Sequence, residues 1–190
     1  MEELASLADE ITGILLIDEA YVDYAEKNCT SLVKDFDNVI IVRSMSKGYS
    51  LAGVRFGYAI AQTELIDGLL KVKDSYNVDS IAIALATEAI KDQTYFKTNI
   101  EKIKVERARL TDQLRNLGFN VPDSFSNFVL AQYKNSTAAE IHRELADRNI
   151  YVRYFPYPRL EDKLRISIGK PEQDDKLIAA LKEILAVKSA

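Results

Sequence analysis

Three observations predict an α/β fold built on an open sheet. Two short apolar runs, Ile14–Ile17 and Val39–Val42, each end abruptly in polar residues. Runs of that length suit strands covered on both faces, as in a parallel sheet. Elsewhere, long stretches repeat apolar residues at threes and fours, the spacing of one helical face. In open α/β sheets the ligand site lies beyond the carboxyl ends of the strands. Both polar clusters, Asp18-Glu19-Ala20-Tyr21 and Arg43-Ser44-Met45-Ser46-Lys47, stand at that position.

In chain order, residues 2–10 read as a helix with Leu4, Leu7 and Ala8 on one face. Gly13 opens the first apolar strand, and the second follows at Val39. Phe56–Ala61 reads as a third strand. Leu65, Ile66, Leu69 and Leu70 then fit a helical face, and Ser80 is positioned to cap an alanine-rich helix ending near Lys91. Phe96, Ile100, Ile103, Leu110, Leu114 and Leu117 mark a long amphipathic helix, with Gly118 as its stop. Asn127–Tyr133 reads as a strand. Thr137 and Glu140 have the spacing of a capping box for a helix reaching Arg148. Ile150–Phe155 and Leu164–Ile168 read as strands. Pro171 opens the last helix, whose inner face is Leu177, Ile178, Leu181, Ile184 and Leu185. The boundary that fits is 1–92 for one domain and 93–190 for a second, smaller one.

Composition narrows the function. The 190 residues carry 25 basic and 29 acidic side chains, a formal net charge of −4, which argues against non-specific nucleic-acid binding. No run of about 18 apolar residues is available to span a membrane. The acidic start Met1-Glu2-Glu3 is unlike a signal peptide, so a soluble, cytoplasmic protein is expected. One cysteine, Cys29, and one histidine, His142, leave no ligand set for a metal centre, and no metal is expected. His142, next to Ile141, is expected near the solvent side, and the alternating charges of Glu101–Arg115 read as a solvated face.

Chemistry concentrates around Lys47. A lysine taken singly is a surface charge. This one lies in Ser44-Met45-Ser46-Lys47-Gly48-Tyr49-Ser50-Leu51-Ala52-Gly53, with Arg55 close behind. Small residues permit close backbone approach to a ligand. Serine hydroxyls, backbone N–H groups and a guanidinium together suit a phosphate. A lysine amine beside a phosphate cradle suits covalent attachment of a phosphorylated carbonyl cofactor. Asp18, ending the first strand, is either an ordinary loop acid or the partner of a buried cation such as a protonated pyridine. Tyr21 is close enough to reach the same ring. Glu19 reads as a structural or solvated acid.

Asp18-Glu19-Ala20-Tyr21, then Ser46-Lys47, seven residues and Arg55, with Leu51-Ala52-Gly53 between, resemble the fold-type I pyridoxal-phosphate aminotransferases. Tyr76–Ser80, Ser126-Asn127-Phe128, Val152-Arg153 and Leu164-Arg165-Ile166-Ser167 extend the resemblance along the chain, and it is strongest to the histidinol-phosphate aminotransferase family. It implies the C-terminal part of that fold: part of the large-domain sheet plus the small α/β domain. It implies pyridoxal 5'-phosphate as cofactor, with an amino-acid phosphate and a 2-oxo acid as substrates, in a homodimer. Lys47 is implied as the covalent anchor and proton shuttle. Asp18 is implied to protect the pyridine proton, Tyr21 to bind the phenolic oxygen, and Ser44, Ser46 and Arg55 to hold the phosphate. Arg165, which by position alone reads as a strand-end surface charge, is implied to clamp the substrate carboxylate, with Arg153 assisting at the substrate or its phosphate.

Members of that family are longer at the N-terminus, where further cofactor and substrate contacts arise. The chain alone is therefore expected to bind cofactor weakly, to turn over little, and to associate through an open sheet edge. Other readings remain. Ser44-Met45-Ser46-Lys47 also fits the Ser-x-x-Lys of penicillin-binding enzymes, but Lys97-Thr98 is followed by Asn99 where their third motif needs glycine. A non-catalytic relic of the fold, and a relative acting on other phosphorylated or aromatic amino acids, are the two alternatives. Tyr154, Phe155 and Tyr157 read as core or domain-interface aromatics.

Overall fold

The computed structural model describes residues 1–188, and these form two compact units, Met1–Ile100 and the residues from Glu101 onward. In the first, helix α1 (Glu2–Glu10) leads into β1 (Leu15–Asp18). Asn38 closes that junction by donating its side-chain N–H groups to Ala8 O (2.8 Å) and Gly13 O (3.2 Å). The short helix α2 (Leu32–Asp35) precedes β2 (Val39–Ser44), which lies parallel to β1. The third strand, β3 (Gly57–Ile60), runs antiparallel to β2, so the order is β1-β2-β3. Helices α3 (Thr63–Val72) and α4 (Ser80–Lys91) follow. Asp79, not Ser80, caps α4, its carboxylate accepting from Ala82 N at 2.9 Å. Both residue types make good caps, and the extended backbone at Asp79 decides between them.

The expectation that β1 is covered on both faces is overturned. Its burial alternates, with Leu15 and Ile17 packed against Ala8, Leu32, Val33, Val39 and Ile41. Leu16 on the other face is 58% exposed, and Ile14 just before the strand is 56% exposed. Among the described residues no helix lies over that face. The same bareness recurs on the helices: Leu69, Leu70, Ile81, Ile83 and Leu85 are exposed, although the pattern predicts an inward face for the first two. Exposed apolar patches and open strand edges favour association. The chain on its own is expected to self-associate at micromolar concentration, and sedimentation velocity giving a single monomeric species would contradict this.

The second unit is better enclosed. Helix α5 (Gln93–Asn116) spans the division between the units and buries Leu110 and Leu114 in the second core. Gly118 ends it at φ 87, a left-handed position that favours glycine. Strand β4 (Phe128–Gln132) pairs with β6 (Lys163–Ser167), and β6 pairs with β5 (Arg153–Tyr154), all antiparallel. The predicted strand Ile150–Phe155 shrinks to these two residues. Asn149 is left-handed before it, and Pro156 after it offers no N–H. Helix α6 (Ala138–Asp147) begins at Thr137, whose hydroxyl accepts from Glu140 N as the capping box predicts. Helix α7 (Pro171–Lys188) buries Leu177, Ile178, Leu181, Ile184 and Leu185, each side chain contributing about 1.5–3 kcal/mol. His142 is half-buried, its ring 5.8 Å from that of Tyr154, so it faces the sheet more than solvent.

Not all of the charged stretch on α5 is solvated. Glu106 and Asp174 are both buried and hydrogen-bonded to each other. Arg109 answers this charge, its Nε and Nη2 reaching Glu106 while Nη1 binds Asp175 at 2.6 Å. Burial, then the Glu106 bond, pushes the Asp174 pKa up from 3.8 to about 7. An acid shifted upward keeps, in the folded chain, a proton that the unfolded chain releases. Its contribution is most favourable below the unfolded value and is lost as pH rises towards the folded one. Asp174→Asn is expected to flatten this slope. Denaturant unfolding compared at about pH 4.5 and about pH 7.5 should show wild type losing on the order of 2–4 kcal/mol more than the variant.

Candidate active site

Parallel pairing brings the carboxyl ends of β1 and β2 to one edge, with Asp18 opposite Val42 and Ser44 two residues further on. Asp18 is exposed and folds back on the turn, its Oδ1 accepting from Ala20 N at 2.9 Å. Tyr21 opens the short 3-10 turn Val22–Tyr24. Ser44 ends β2, and its hydroxyl accepts from Ser46 N at 3.1 Å. Lys47 follows, half-buried, with Nζ 5.7 Å from the centre of the Tyr21 ring, within cation–π reach.

The loop that presents Lys47 is pinned on both sides. Met45 is fully buried; its N–H donates to Phe56 O at 3.1 Å and its carbonyl accepts from Leu51 N at 3.0 Å. Ser50 N donates to Lys47 O at 3.0 Å, with Ser50 left-handed at φ 58. Tyr49 stacks on Phe96, centroids 4.2 Å apart. Arg55 ends the turn Ala52–Val54, also at φ 58, and is exposed, with Nη1 on Ala52 O at 3.2 Å. The structure thus places Asp18 and Ser44 at strand ends, and Tyr21, Ser46, Lys47 and Arg55 in the loops beside them, all at one end of the first sheet.

Beneath them lies an ion pair that sequence reasoning did not find. Glu19 is buried and accepts from Arg43 at both Nε (2.9 Å) and Nη2 (2.8 Å), and from Cys29 N at 2.5 Å. Burial opposes the Arg43 charge, and the Glu19 and Tyr58 hydrogen bonds outweigh it, so its pKa is raised. Glu19 is therefore structural, one of the two roles expected for it. Asp23 and Gly48 were also missed. The half-buried Asp23 carboxylate packs against the Gly48 backbone. Residue type gives no sign of a contact between positions 25 apart; the only signal was the glycine beside the lysine.

In the second unit, Arg165 sits mid-strand rather than at a strand end, paired with Leu130 on one side and Arg153 on the other. Partners in register share a face, so two guanidiniums stand side by side. The Arg165 guanidinium carbon is 5.0 Å from the Phe128 ring and 5.8 Å from Phe155; that of Arg153 is 5.0 Å from Phe155. Tyr154 is half-buried against the core, whereas Tyr157 is 62% exposed. Arg165 Nε is buried without a hydrogen-bond partner among the described residues. A buried N–H left unmade costs roughly 1–3 kcal/mol, and like charges in register add to that, so the pair is suited to an anion. Among the described residues no group of three or more ligating side chains could hold a metal, and no helix is long and apolar enough to cross a membrane.

A family model described as aminotransferase class I and II matches residues 1–181. A histidinol-phosphate aminotransferase from Nostoc sp. is 49% identical over 97% of the chain and 52% of its own length. The solved histidinol-phosphate aminotransferase from Clostridium acetobutylicum superposes with a TM-score of 0.88 at 25% identity, over 96% of this chain and 57% of that one. The corresponding enzyme from Sinorhizobium meliloti, solved with pyridoxal-5'-phosphate, gives a TM-score of 0.85 at 29% identity, over 98% of this chain and 53% of that one. The chain thus spans about half the length of the curated relatives it matches. The open sheet and small α/β unit predicted from the sequence match the architecture of these structures.

Proposed function

The chain belongs to the aminotransferase class I and II family, and we propose that it supplies the lysine-bearing part of a pyridoxal-5'-phosphate-dependent histidinol-phosphate aminotransferase. The observation that carries this reading is the Lys47 amine held beside the Tyr21 ring, at the end of the sheet where Asp18, Ser44 and Ser46 also gather. An amine, a carboxylate, a phenol, two hydroxyls and a guanidinium are the donor set that an aldehyde, a pyridine nitrogen, a phenolic oxygen and a phosphate require. The residues therefore fit the cofactor.

When bound, pyridoxal 5'-phosphate supplies a carbonyl carbon for the amino group and an electron-accepting ring. Lys47 holds it through the amine and moves the proton at the substrate α-carbon. Asp18 keeps the pyridine nitrogen protonated, and Tyr21 donates to the phenolic oxygen. Ser44, Ser46 and Arg55 hold the phosphate. Arg165 takes the carboxylate of the 2-oxo acid as a bidentate fork, and Arg153 assists at the substrate phosphate. The unpartnered Nε of Arg165 supports its role. Residues 1–92 belong, on this reading, to the large cofactor-binding domain and 93–190 to the small one, in a cytoplasmic homodimeric enzyme.

The test is chemical. The chain is loaded with pyridoxal 5'-phosphate, reduced with borohydride and digested, and the labelled peptide is identified by mass. Label concentrated on Lys47 is expected, followed by bleaching of the near-visible absorbance when histidinol phosphate is added to unreduced protein. Label spread over surface lysines would overturn the proposal.

A further inference from the structure

Gly48 follows Lys47 directly, and the space beside its α-carbon is taken. A Cβ built there would lie 2.2 Å from Asp23 Oδ2, 2.8 Å from Cγ and 2.9 Å from Cβ. Contacts under 3.0 Å with both the head and the root of a side chain cannot be relieved by moving its tip alone. Gly48 is itself buried, and Asp23 is half-buried. Asp23 stands two residues after Tyr21, in the 3-10 turn that follows β1. Its carboxylate is packed against the Gly48 backbone and lies in the field of Arg43, whose guanidinium is bound to Glu19. The loop from one strand end is thus fastened to the loop from the other at the residue beside the lysine.

We infer that Asp23 is a positioning residue for Lys47: its carboxylate packs on the Gly48 backbone and fixes the turn that presents the lysine amine. The assignment rests on the proposed role of Lys47 for its meaning and on the Asp23–Gly48 contact for its geometry. Burial raises the Asp23 pKa and Arg43 opposes that rise, as expected of a carboxylate kept in place by a neighbouring cation. Asp23 meets the lysine loop at Gly48, so it acts through the backbone of that residue.

Two measurements on Asp23→Ala, Asp23→Asn, Gly48→Ala and the double variant Asp23→Ala/Gly48→Ala test it. One is amide hydrogen exchange in the peptide spanning residues 44–51, read without any cofactor. The other is the share of borohydride-fixed pyridoxal phosphate found on Lys47. Loss of that packed carboxylate predicts that Asp23→Ala speeds exchange about tenfold or more and lowers the Lys47 share to match. Asn retains the shape of the side chain, so Asp23→Asn should stay within about threefold of wild type. Gly48→Ala should behave like Asp23→Ala, and adding it to Asp23→Ala should do less than it does in wild type, because the 2.2 and 2.8 Å contacts leave with the carboxylate and only the 2.9 Å Cβ contact stays. The contact is read from both sides, so unfolding of one variant leaves the other to decide. Unchanged exchange in both Asp23→Ala and Gly48→Ala, or strictly additive effects in the double variant, would overturn the assignment. Wild type failing to label Lys47 while exchange responds as expected would overturn the proposed function and leave the positioning role standing.

Discussion

Lys47→Ala is expected to remove the borohydride-fixed label and the near-visible absorbance entirely, while the fold stays intact. The side chain is half-buried, and its amine lies 5.7 Å from the centre of the Tyr21 ring. The loop that carries it is fixed by the Met45, Ser50 and Leu51 backbone bonds, none of which uses the amine. Thermal melting should therefore shift little, within about 0.5–1 kcal/mol. The chemical effect is much larger. On the proposed reading the amine is both the attachment point and the group that moves the proton. Losing a positioned acid–base group alone costs about 10²–10⁴-fold in rate, with the covalent attachment lost in addition. Lys47→Arg should not rescue, because a guanidinium stays protonated and cannot act as a nucleophile. Peptide mapping and stopped-flow absorbance on the loaded protein check both variants. An alanine variant that keeps site-specific label would show that another amine does this work.

Arg43→Met is expected to cost about 3–5 kcal/mol of stability, the largest effect outside the cores. Its guanidinium closes two hydrogen bonds onto Glu19, whose side chain is only 5% exposed. Removing the cation leaves a buried carboxylate supported by the Cys29 N–H, and burying such a charge is far more costly than the pair's own net worth. Adding Glu19→Gln to Arg43→Met should recover much of the loss, since the charge goes while the acceptor for Cys29 remains. Urea unfolding of both variants checks this; a single variant within 1 kcal/mol of wild type, taking that value as about the spread of ordinary surface changes, would refute it.

Local rules made most of the fold legible. Apolar spacing found α5 and α7, and Thr137 with Glu140 marked α6 by the chemistry of its cap. Parallel strands with polar ends placed Asp18 and Lys47 at one sheet edge, because that inference needs only strand direction. The failures have a common cause. The all-apolar run of β1 reads as covered, but cover depends on what packs over it, and Leu16 is bare in this chain. Arg165 looked like a surface charge because composition cannot reveal a pairing with Arg153 across two strands. Glu106, which meets Asp174 of α7, hid in a helix whose charges otherwise alternate on its exposed side. Asp23 and Gly48 meet only after two strands have paired.

The unequal enclosure of the two units bears on how each reports on itself in solution. A dye that fluoresces on apolar surface reads uncovered carbon, so Met1–Ile100, with the bare faces of Ile14, Leu16, Leu70, Ile81 and Ile83, should light it before any unfolding. The core around Leu114, Leu145 and Leu181 is closed, and should add to that signal only as it melts.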